Sequence, residues 1–208
     1  MAGLVPAIHV LLASAKTWMP GTSPGMTTAV DPFAQPAYTP VARALHWITA
    51  ALVLSTIPVG LVMADLDGGP LQDFLYNVHE TIGTVLMPII VLRIVWRLGH
   101  PPLPLPPEIP ALQRLGAEAV HWLLYLLLVV QPVVGWIGIS AYGAPIKVFW
   151  TFVLPPIWPK DSAFSKLVLA AHDWIGFLII ALLCAHIAAA LFHHFVRRDR
   201  VLLRMVTG

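Results

Sequence analysis

The chain has 208 residues, of which 58% are hydrophobic and only 11% charged, with a formal net charge of +2. With a mean hydropathy of +0.81, there is too little polar surface to solvate a globular domain, which excludes a soluble protein. The small positive excess makes no case for nucleic acid as a partner.

In chain order, residues 1–40 come first and differ from the rest. They hold a short apolar stretch broken by Pro6, then a Gly/Pro/Thr-rich segment, and no charged region precedes the apolar run as in a secretory signal. They read as a poorly ordered N-terminal extension, or as sequence upstream of a translation start at Met26. Residues 41–208 read as one membrane domain. Apolar runs of about 20 residues, the length that crosses ~30 Å of hydrocarbon, lie at roughly 43–64, 75–98, 117–139 and 167–195. The fold class expected is all-α, an integral membrane four-helix bundle in the lipid bilayer. An acidic turn (Asp65, Asp67, Asp73), a proline-rich connection over 100–110 and a longer loop over 140–166 separate the spans. Nine Lys and Arg fall on the side of the N-terminal segment, the second connection and the C-terminal tail, and three on the other (Lys147, Lys160, Lys166). By the positive-inside rule both termini face the cytoplasm. Nothing in the sequence sets an oligomeric state.

Ionisable side chains at membrane depth are expensive to bury and are functional candidates by default. His46 opens the first span and His79 lies early in the second; His121 lies in the third and His172 and His186 in the fourth. His172 and His186 are 14 residues apart, close to four helical turns, so one helix presents both on nearly the same face, ~21 Å apart along its axis. Counting depth along alternating spans sets His79 level with His172 on the outer side, and His46 level with His186 on the inner side. Two imidazoles converging from different helices are the arrangement that holds a haem iron at both axial positions, and such a haem carries electrons one at a time. His121 also sits at inner depth, so it remains a second candidate partner there. The lone Cys184 offers no cysteine metal site, and no Cys-x-x-Cys-His run is present for covalent haem attachment.

The stretches HETIG (from His79) and HDWIG (from His172) repeat one formula. Gly83 and Gly176 follow their histidines by four residues, one turn on along the same face, where only glycine leaves room for a flat macrocycle. The acids Glu80 and Asp173 read as helix-N-terminal carboxylates, favourable with or without haem. A second echo, ALHWITAALV from Ala44 against AVHWLLYLLL from Ala119, suggests that the two halves of the bundle are related. That overlay puts His121 at the equivalent of His46 and Arg93 at the equivalent of His186. Arg93 and Arg97 read either as snorkelling side chains or as guanidinium partners of haem propionates. His193 and His194 read as interfacial anchors.

The runs ALHW, NVHETIG, VLRIVWRL, VHWLLYLLLVVQPVVGW and AHDWIGFLIIALLCAHIAAALFHHF followed by LLRM resemble the bacterial cytochrome b561 family of four-helix di-haem proteins. The resemblance covers nearly everything from Tyr38 onward. It implies two haem b groups, with axial ligands matching His46, His79, His172 and His186, and a multi-pass place in the bacterial inner membrane. It also implies electron exchange with membrane quinone (ubiquinone), in one branch with superoxide as the periplasmic donor. Related four-helix cytochromes are instead membrane subunits of hydrogenases or other dehydrogenases. The loops on the expected outer side are close to neutral, so charge argues only weakly for superoxide. A haem-free proton or ion pathway through the same histidines, Glu80 and Asp173 is the non-redox alternative.

Overall fold

The structure is a computed structural model and describes residues 37–101, 104 and 109–207. The extension expected over 1–40 thus lies outside the described residues, apart from Ala37 to Pro40, and so does much of the proline-rich connection.

Four long helices account for most of the described chain: α1 (Pro40–Ala64), α2 (Pro70–Gly99), α3 (Ala111–Tyr142) and α4 (Ser162–Phe192). All four are long and apolar enough to cross a membrane. They pack in sequence-adjacent pairs, α1 along α2 and α3 along α4, with α2 meeting α3 between the pairs. α1 begins and α4 ends at one end of the bundle, called here the terminal end. The opposite end, where α3 gives way to a β-hairpin, is the hairpin end.

Each helix starts before its apolar stretch, because backbone hydrogen bonding extends back to a cap. Thr39 Oγ1 accepts the Ala42 N–H at the start of α1, and Pro70 opens α2 at a position that needs no donor. Gly143, at φ +88°, closes α3 in the left-handed conformation, and Asp161 Oδ1 accepts the N–H groups of Ala163 and Phe164 at the start of α4. The turn between α1 and α2 is tied by Gln72 Nε2, which donates to the carbonyls of Met63 and Leu66. Pro58, Pro88 and Pro132 lie inside α1, α2 and α3 without ending them.

The outer surface is apolar almost all round, with Leu54, Leu61, Leu92, Val95, Leu126 and Leu178 exposed, as expected of helices solvated by lipid. The interior is a layer at mid-depth made of Val53, Leu86, Ile90, Tyr125, Leu128 and Ile179. Where lipid is as apolar as the core, close packing and interhelical hydrogen bonds hold helices together. The α3–α4 pair shows both. Buried Ser165 donates its hydroxyl to the Gly138 carbonyl at 2.9 Å, and a Cβ at Gly138 would fall 2.6 Å from Leu169 Cδ2.

The loop expected over 140–166 contains a short antiparallel hairpin, β1 (Ile146–Val148) paired with β2 (Phe152–Leu154). β1 lies against α2, where the Lys147 N–H donates to Glu80 Oε2 and the Phe149 N–H to Thr81 Oγ1. This corrects the reading of the two acids. α2 starts at Pro70 and α4 at Ser162, so Glu80 and Asp173 stand about three turns inside their helices, too deep to complement an N-terminal dipole. Glu80 instead anchors the hairpin.

Candidate functional site

At the hairpin end, α2 and α4 bring His79 and His172 together with ring centres 6.1 Å apart and planes crossed at 71°. Each ring is held by the neighbouring helix of its own pair. His79 Nδ1 lies 3.2 Å from the Thr56 carbonyl oxygen and 3.2 Å from Thr56 Oγ1; His172 Nδ1 lies 3.1 Å from the Gln131 carbonyl oxygen. A carbonyl only accepts, so a proton on Nδ1 satisfies the carbonyl contact of each ring and leaves Nε2 with its lone pair. This is how a metal-ligating imidazole is usually oriented by its second nitrogen. Gln131 also donates from Nε2 to the His172 carbonyl at 2.9 Å.

At the terminal end, three imidazoles gather. His46 on α1 and His186 on α4 stand 6.2 Å apart at 67°, and His121 on α3 stands 5.2 Å from His186 at 72°. They line a cavity of about 380 Å³ with Arg93, Tyr125 and Thr49. Arg93 donates from Nε to Tyr125 Oη at 3.1 Å, and the Arg97 guanidinium stacks over Trp122 and Tyr125 at 5.5 and 5.3 Å. Among the described residues, the buried Nδ1 of His46 has no hydrogen-bond partner. The mid-depth apolar layer separates this group from the pair at the hairpin end, since Val53 and Ile179 fall between the histidine levels on α1 and α4.

Two imidazoles that grip one metal from opposite sides, each with a nitrogen about 2 Å from it, hold their ring centres about 6 Å apart. Both the His79–His172 and the His46–His186 pairs have that spacing, and His121–His186 is shorter. Among the described residues, no atom lies within 4 Å of where a Cβ on Gly83 would stand; at Gly176 the nearest is Gln131 Nε2 at 3.4 Å. The residues present therefore fit a flat, bis-histidine-ligated group. His193, expected as an interfacial anchor, pairs through Nδ1 with Asp199 Oδ2 just beyond α4.

Two glycines that the sequence reading passed over lie closest to the rings. A Cβ on Gly60 would stand 2.9 Å from His79 Cε1, and one on Gly135 would stand 3.0 Å from His172 Cε1. A signal for them existed. Gly60 and Gly135, Thr56 and Gln131, and His46 and His121 are each separated by the same 75 positions, an extension of the internal echo already noted.

The family model for prokaryotic cytochrome b561 matches residues 37–208. Cytochrome b561 homolog 2 of Escherichia coli is 35% identical over 174 residues, covering 81% of this chain and 90% of that protein. Cytochrome b561 homolog 1 of the same organism is 30% identical over 166 residues, covering 78% and 92%. A probable superoxide oxidase of Yersinia pestis is 25% identical over 166 residues, covering 78% and 91%. With four membrane-crossing helices and paired imidazoles inside them, the chain belongs to the prokaryotic cytochrome b561 family, multi-pass proteins of the bacterial inner membrane that bind b-type haem and transfer electrons.

Proposed function

We propose that the chain carries electrons across the inner membrane between two levels of bis-histidine-ligated haem b and exchanges them with membrane quinone, ubiquinone in the first instance. The observation that carries this reading is the presence of two imidazole pairs, at 6.1 and 6.2 Å, on either side of an apolar layer. His79 and His172 would hold one haem, and His46 and His186 the other. Each haem, held by two imidazoles, would supply a one-electron couple. Gly83 and Gly176 give the macrocycle room, and Arg93, already turned to the cavity, offers its remaining guanidinium donors to propionate oxygens. The apolar layer excludes water between the levels, so charge crosses as electrons.

With both termini in the cytoplasm, the hairpin end faces the periplasm and receives the electron. The similarity to a probable superoxide oxidase supports superoxide as the donor. Two superoxide ions would then each lose one electron to become dioxygen, and one quinone with two protons would become quinol. A periplasmic or membrane dehydrogenase is the alternative donor, in which case the chain is the cytochrome b subunit of a larger complex.

Pyridine haemochrome stoichiometry on purified protein tests the reading. Two haems per chain are expected. His46→Ala, His79→Ala, His172→Ala and His186→Ala should each leave one, while His121→Ala keeps both. One haem in the unaltered chain, or loss of a haem on His121→Ala with retention on His46→Ala, overturns the assignment. Reduction by generated superoxide in stopped flow, run with and without added quinone, decides the donor.

A further inference from the structure

The two pairs of imidazoles are built differently. At the hairpin end each ring rests on a glycine of the adjacent helix. Besides the 2.9 and 3.0 Å approaches to Cε1, a Cβ on Gly60 would stand 3.1 Å from His79 Nδ1 and one on Gly135 would stand 3.2 Å from His172 Nδ1. Carbon atoms do not pack that closely, since contact begins at about 3.5 Å, so an alanine at either place must displace the ring or the helix. One turn earlier on the same helix stands the carbonyl that accepts the ring's Nδ1–H, Thr56 for His79 and Gln131 for His172. The glycine fixes where the ring lies, and the carbonyl fixes its tautomer and its rotation.

The terminal end lacks this device. Among the described residues no glycine has His46, His121 or His186 within 4 Å of its Cβ position, and His46 Nδ1 is buried without a partner. At the hairpin end the same device recurs with matching distances in both halves of the bundle.

We propose that Gly60 and Gly135 are positioning residues that, with the Thr56 and Gln131 carbonyls, preform the His79–His172 pair, so that the chain has one rigid haem level and one shaped by loading. The proposal rests on the reading of these histidines as haem ligands. A preformed site avoids the ordering cost that a loose one incurs, so the hairpin end fills first. An Nδ1–H donated to a carbonyl also makes the imidazole a more basic ligand, so displacing either ring changes the redox potential at that level and not at the other.

The full-length chain, purified haem-free in detergent, is titrated with haemin, and His46→Ala and His79→Ala chains supply the spectrum of each level alone. The first equivalent should reproduce the hairpin-end spectrum. Gly60→Ala and Gly135→Ala should each weaken haemin binding at that level about tenfold. Both should shift its midpoint potential and its low-spin ferric resonance, which reports the angle between ring planes, and leave the terminal level unmoved. Filling of the terminal end first overturns the proposal, as do unchanged potential and resonance in both glycine variants. Should neither alanine chain insert, loading order in the unaltered chain decides. Histidine-selective nitrogen NMR of the haem-free chain reads the tautomers directly: His79 and His172 should be locked with the proton on Nδ1, and a mixture there also sinks the idea. A chain that takes no haem at either level overturns the haem reading instead, and the tautomers, read without haem, still decide whether the rings are seated.

Discussion

Gly83 follows His79 by one turn on α2 and Gly60 meets the His79 ring from α1, and their surroundings are opposite. Gly60 is filled against the imidazole itself, whereas a Cβ on Gly83 meets no described atom within 4 Å. Gly83→Ala should therefore cost the haem-free chain nothing in thermal stability, and could add up to about 1 kcal/mol from helix propensity. If the macrocycle lies over this face, the same change should lower haem occupancy at the hairpin end, read from the haem-to-protein ratio. Equal occupancy in the variant would remove Gly83 from the site. Gly176 is a less clean probe, because its Cβ would touch Gln131 Nε2 at 3.4 Å, which ties the His172 carbonyl. The residue type and spacing of HETIG and HDWIG were legible in the sequence, and so were the candidate ligands. The seats were not, because the atoms they serve belong to a histidine on another helix.

At the scale of elements, the tail after α4 is folded back rather than trailing. The last turn of α4 widens over His193–Arg197, Arg198 reverses the chain at φ +55°, and Asp199 closes the bend. Its Oδ1 accepts the Val201 N–H at 3.0 Å and its Oδ2 pairs with His193 Nδ1. The returning segment includes α5 (Leu203–Val206); the Met205 carbonyl accepts the Trp47 indole N–H at 3.1 Å, and Leu202 and Val206 line the cavity beside His46. Burial acts to raise the Asp199 pKa, but the hydrogen bonds from His193 and the Val201 N–H, with the charges of His193 and Arg197, outweigh it and hold the carboxyl below its ordinary 3.8. A depressed carboxyl stabilises the fold above its unfolded value, so this contribution is complete above pH 3.8 and is lost as pH falls through the lower folded value. Because the pair is partly open to solvent, it should amount to less than about 1 kcal/mol. Asp199→Asn should speed hydrogen exchange of residues 201–206 at neutral pH and flatten its acid dependence. Equal protection of these amides in the two chains, after correction for the intrinsic pH dependence of exchange, would show that the bend does not hold the tail. Sequence counting placed this region at the membrane edge but could not show the reversal, which depends on one residue taking a left-handed conformation.

At the scale of the whole molecule, the bundle has three layers: three imidazoles at the terminal end, a packed apolar middle, and two seated imidazoles under the hairpin. The asymmetry of Lys and Arg sets an expectation for which end faces inward, since positive loops resist translocation. A cytoplasm-active reporter joined after Gly208 should be active and a periplasm-active one silent, while one inserted in the loop at Pro156 should give the reverse. The opposite pattern would put the three-histidine level on the periplasmic side and reverse the proposed direction of electron flow.

The sequence by itself determined that the chain lives in lipid, that four helices cross it, and that histidines stand at two depths. Those properties follow from composition and from the fixed rise of a helix, which need no knowledge of neighbours. Only the tertiary structure decided that His46 and not His121 has the spacing of a trans pair with His186, that Glu80 anchors a hairpin, and that Gly60 and Gly135 carry the rings of the other level. Those are contacts between helices, set by how closely two backbones approach, and spacing along one helix carries no record of that distance.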